Sequence, residues 1–248
     1  MQWPPPIAKG ALDRLAARAF AYQRSSFLRM LRVDRALRPL DDEVPLPEEV
    51  VARVKAAVGV ATDALLEAHA PSLPDGCARA PGHLQVLALA VAAQRELLRE
   101  ARSGEGEYLA TTALKARSVV ADALGVVAPP DGTPPVAVPV QWVPNKIALG
   151  LTGALWLPSR RLSMLGRMMA NFERDLGAAF TLEALEPAPS RRLTRCFYRD
   201  LLAREGEDDL APVFTALHAA TWAGVPGFAF EAEADGQCTF LFEVEAEA

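Results

Sequence analysis

Apolar residues recur at helical spacing early in this chain and alternate as strands do at its close, and the two patterns set the architecture open to it. From about Lys9 to Leu124 they recur at helical spacing, whereas from Phe228 to Val244 they alternate as strands require. Between the two regimes lies Ala128-Pro129-Pro130-Asp131-Gly132-Thr133-Pro134-Pro135, the clearest break in the sequence. We expect an α+β fold: a helical region over 1–126, a Pro-rich linker over 127–139 and an α+β unit over 140–248, together one compact domain. The helical bundle should pack on a small C-terminal antiparallel sheet with two helices.

The first helical pattern runs from Lys9 to Arg38, with Leu12, Leu15, Phe20, Phe27 and Leu31 interleaved with arginines. Pro47-Glu48-Glu49 opens a second helix to about His69, since Pro and acids suit a first turn. A third, Gly82 to Arg102, is nearly all apolar up to Ala93 and should be central. A fourth covers Glu107 to Leu124, and two more are expected over Asn145–Trp156 and Ser159–Leu176. The C-terminal unit should open with a strand near Phe180–Ala184. A helix Thr194–Glu205, stopped by Gly206, and another from Leu210 to about Ala223 should follow. In the closing hairpin, a three-residue loop Asp235-Gly236-Gln237 would set Phe230 and Phe242 on one face.

Residues 1–40 carry Lys9 and seven arginines against Asp13 and Asp34, although the chain as a whole has a net charge of −5. A solvated basic face, a membrane-surface helix and a targeting segment all fit such a start. No basic patch recurs later, so nucleic acid is not an expected partner. The longest mostly apolar run, Ile147 to Leu157, is about 11 residues, too short for the roughly 20 that span a bilayer. Three cysteines, Cys77, Cys196 and Cys238, are too few for a disulfide scaffold, which favours a reducing, cytoplasmic setting. Without a CxxC pair, neither zinc nor an iron–sulfur cofactor is expected.

Cys196 is the candidate nucleophile. In the first turn of a helix, free N–H groups stabilise a thiolate, and Arg192, Arg195 and Arg199 add positive field. The competing reading is a small buried packing residue. Cys238 opens the last strand on the apolar face, and His218 would be a general base if it approaches Cys196. His69 and His83 flank a loop and read as surface or cap residues.

The order of pieces from Phe180 to Phe242, with Thr194-Arg195-Cys196-Phe197-Tyr198 and Cys238-Thr239-Phe240-Leu241-Phe242, resembles the L-2-amino-thiazoline-4-carboxylic acid hydrolase family. The resemblance implies a cofactor-independent hydrolase that opens a small cyclic amidine carboxylate. Cys196, His218 and Cys238 would be catalytic, with Arg195, Arg199 and Tyr198 binding the substrate. Members carry Pro where this chain has Phe197, and Arg where it has Leu241, so a carboxylate clamp must come from elsewhere. A non-catalytic binding or assembly protein that keeps the fold is the alternative.

Overall fold

The computed structural model describes residues 22–37, 46–73, 80–103, 109–129, 131, 133, 135–137, 180–186, 190–222, 228–232 and 238–242. The two helices expected over 145–176, the loop holding Cys77 and residues 1–21 lie outside them. The fold is α+β, with helices leading and an antiparallel sheet closing the chain.

Helix α1, described over 22–30, and α2, Val33–Leu37, replace the single first helix expected from the sequence. The reason is packing. Leu31 and Val33 are both fully buried, and two residues apart on one helix they would point to nearly opposite sides. Breaking the helix at 31–32 turns both inward, and the Arg32 carbonyl starts α2 by accepting the Arg35 N–H at 3.0 Å. Arg24 then clamps α1 to the long helix that follows α2. Its guanidinium holds both Asp63 carboxylate oxygens, at 2.6 and 2.9 Å, and donates to the Gly59 carbonyl at 3.0 Å.

Helix α3, Glu48–His69, begins one residue after Pro47 as its acidic first turn predicts. Helix α4, Ala80–Ser103, is central: Leu84, then the run Leu87 to Gln94, and Leu97 are buried almost all round. It packs against α2, α3 and α5, Leu109–Leu124. No helix among the described residues is long and apolar enough to cross a membrane.

Strands β1, Val126–Val127, and β2, Val136–Ala137, pair antiparallel through Val126↔Ala137 and Val127↔Val136. The Pro-rich segment is therefore a loop closed by a ladder at its base. Val126 and Ala128 are buried in the same core as the helices.

The main sheet has the order β3-β4-β6-β5, all antiparallel, from Phe180–Ala184 (β3), Arg191–Cys196 (β4), Phe228–Ala232 (β5) and Cys238–Phe242 (β6). Helices α6, Phe197–Glu205, and α7, Ala211–Trp222, link its two halves, with a short 3-10 turn, Asp208–Leu210, between them. Gly206 ends α6 at φ +68°, and the Glu207 and Gly206 N–H groups return to Leu202 and Ala203, the Schellman pattern. Helix α6 rests on α4, and α7 rests on β1, β2 and β5, so sheet and bundle share one core.

The hairpin pairs Phe230 with Phe240 and Phe228 with Phe242. Its register has the parity expected for Phe230 and Phe242 but is shifted by two residues, with Ala232 opposite Cys238. The loop residues 233–237 fall outside the description.

Candidate functional site

The strand β4 was not expected, and it changes the setting of Cys196. Thr194 does not cap a helix; it is the extra residue of a bulge. Thr181 pairs with Arg195 and Leu182 with Leu193, leaving Thr194 unpaired, its hydroxyl donating to the Thr181 carbonyl at 3.3 Å. The bulge lets Leu193 and Cys196, three positions apart, keep the inner face, opposite the inward residues Leu182 and Phe180. Arg195 lies opposite exposed Thr181 and so stands on the other face.

Cys196 is the residue just before α6, in extended conformation, rather than within its first turn. It is half-buried and packs against the core. Burial pushes its thiol pKa up; the Arg199 and Tyr198 backbone N–H groups and the Arg199 charge oppose this without overcoming it. The thiol makes no capping hydrogen bond. At neutral pH the resting species is therefore the thiol, a correction to the expectation of a helix-stabilised thiolate.

Tyr198, expected to touch substrate, is instead a core residue, 4% exposed. Its hydroxyl is hydrogen-bonded to Nδ1 of His83, on the first turn of α4. Its ring packs on Phe214 at 4.8 Å between centroids and edge-on to His218 at 4.9 Å. Phe180 and Phe197 complete the aromatic group, at 6.0 and 6.1 Å from Tyr198. Desolvation drives the phenol pKa upward, with the nearby Cys196 charge adding to it. Burial pushes the His218 pKa down to about 4, so that imidazole is neutral at pH 7.

Thiol, phenol and two imidazoles thus converge where α4, β4, α6 and α7 meet. His218 meets this group through Tyr198. Cys238 stands opposite Leu193 in β6, on the strand next to the one that ends at Cys196. Arg195 donates from Nε to Asp200 at 2.7 Å on the exposed face. Arg199 is exposed as well.

Both histidines set aside in the sequence belong to buried contacts. His83 joins the Tyr198 group, a position signalled only by its place at the head of the central helix. His69, at the end of α3, is 7% exposed and lies 2.7 Å from Glu205 Oε1. Arg95 binds the other Glu205 oxygen at 2.8 Å and Glu207 at 2.9 Å, while Gln94 donates to Glu207 and Asp209. This polar network fastens the turn between α6 and α7 onto α4. Among the described residues, no three His, Cys, Asp or Glu side chains form a metal-binding group.

No protein-family model matches the chain, and comparison with curated proteins and with solved structures finds no match.

Proposed function

We propose that the chain is a cofactor-independent, hydrolase-like enzyme acting on a small cyclic amidine or thiazoline carboxylate, or a related small molecule. The observation that carries the reading is the convergence of Cys196, Tyr198, His83 and His218 at one junction of the fold. Three of these side chains, Cys196, Tyr198 and His218, have shifted pKa values, a clustering that reaction centres show more often than structural cores.

In this reading the Cys196 thiol gives its proton to a base as its sulfur attacks the amidine carbon. The ring C–S bond breaks and the ring sulfur leaves as a thiolate, which takes up that proton. Water then attacks the thioimidate carbon, the Cys196 sulfur leaves, and one water has been added overall. In this reading the base is His218, neutral at pH 7 and set edge-on to the Tyr198 ring. The ring opening gives an N-carbamoyl amino acid, the product type of the family resembled.

A second reading, a non-catalytic binding or assembly protein, is favoured by two observations. The Cys196 thiol is raised rather than lowered, and Arg195 is engaged by Asp200 on the opposite face. Among the described residues of the basic start, Arg24, Arg32 and Arg35 are paired to Asp63, Asp34 and Asp122, which leaves their charge engaged within the fold.

The test combines turnover with thiol chemistry. Ring opening of 2-amino-thiazoline-4-carboxylate and related cyclic amidine acids is followed for the wild type and Cys196→Ser. Activity lost in the folded variant supports the enzyme. No turnover of any such acid, together with Cys196 alkylation by iodoacetamide no faster than that of Cys77, supports the scaffold.

A further inference from the structure

We propose that Arg117 on α5 is a receptor for a small carboxylate, an assignment independent of the chemistry at Cys196. Its guanidinium Nε and Nη2 atoms are both buried, and neither has a hydrogen-bond partner among the described residues. Those two atoms are the side-on edge of the guanidinium, whose parallel N–H bonds match the two oxygens of a carboxylate. An arginine cannot discharge by losing its proton, so a buried edge of this kind calls for an anion.

The helix itself supplies none. One turn away on either side stand Ala113, Leu114, Val120 and Ala121, all apolar. The acid of α5, Asp122, is engaged by Arg35 at 3.0 Å. Lys115 is two positions away, about 200° round the helix, and cannot share a ligand from the same face. A single guanidinium with apolar residues one turn away on its own helix suits a singly charged, planar, two-oxygen group. A phosphate would bring further charge and a third oxygen with no donor beside them.

The test uses the full chain and thermal unfolding in sodium acetate, in sodium phosphate and in sodium chloride at equal ionic strength. Acetate should raise Tm logarithmically, by about 3 °C for each tenfold above its dissociation constant. Arg117→Gln should abolish that rise. No rise beyond the chloride control, an equal rise in Arg117→Gln, or a response to phosphate alone would each overturn the assignment. Should Arg117→Gln not fold, the Arg117 Nε–H resonance of the wild type decides. Movement on acetate titration supports the site; a resonance unmoved by acetate means that the chain's own acid holds the guanidinium.

Discussion

The Tyr198 hydroxyl and His83 Nδ1 are hydrogen-bonded across 115 residues of sequence, tying the first turn of α6 to the first turn of α4. Tyr198→Phe keeps the ring contacts with Phe214 and His218 but strands the imidazole nitrogen. We expect a loss of about 1–3 kcal/mol in urea unfolding. A loss below about 0.5 kcal/mol would mean that water replaces the phenol.

His218 sets an acid limit on stability. Its folded pKa of about 4 lies below the unfolded value, so between about pH 6.5 and 4 the unfolded chain binds the extra proton. Its contribution is complete above pH 6.5 and declines as the pH falls towards 4, by up to about 3 kcal/mol. His218→Leu should flatten the stability profile in that window. An NMR titration of the His218 ring with a midpoint near 6.5 would refute the burial argument.

Glu205 responds lower on the pH scale. Burial alone would raise its pKa, but hydrogen bonds from Arg95 and His69 prevail and hold it below the usual carboxylate range. Its contribution is full above the unfolded carboxylate pKa and is lost as pH falls through the lower folded one. A double-mutant cycle of Arg95→Met with Glu205→Gln should return a coupling of about 1 kcal/mol. A coupling near zero would show that the turn is held by Gln94 and backbone contacts instead.

Gly206→Ala isolates a backbone effect. A β-carbon at this position meets nothing within 4 Å, while the φ of +68° disfavours any L side chain. We expect a cost of about 1 kcal/mol by chemical denaturation, with Gly206→Asn milder. No measurable cost would mean that the last turn of α6 frays.

Features written in adjacent residues were legible from sequence. Pro47 with Glu48 marked the start of α3, the apolar run marked α4 as central, and Gly206 marked the end of α6. Strand β4 was not legible, because Arg191-Arg192-Leu193-Thr194-Arg195 shows no apolar alternation. Its strand character comes from pairing with β3 on one side and β6 on the other. A threonine two residues before a cysteine looks like a helix cap; only the neighbouring strand makes it a bulge. The candidate site was legible in part. Cys196, Tyr198 and His218 were singled out, but His83 reaches Tyr198 from a distant helix, and no local pattern records that.

The ladder between Val126 and Ala137 has a practical outcome. A protease nick within 129–135 would cut the covalent link while the rungs and the shared interior hold both pieces. The fragments should travel as one species in native gel filtration and part only in denaturant. The same tip is then a natural point for grafting a peptide tag or for opening a circular permutant.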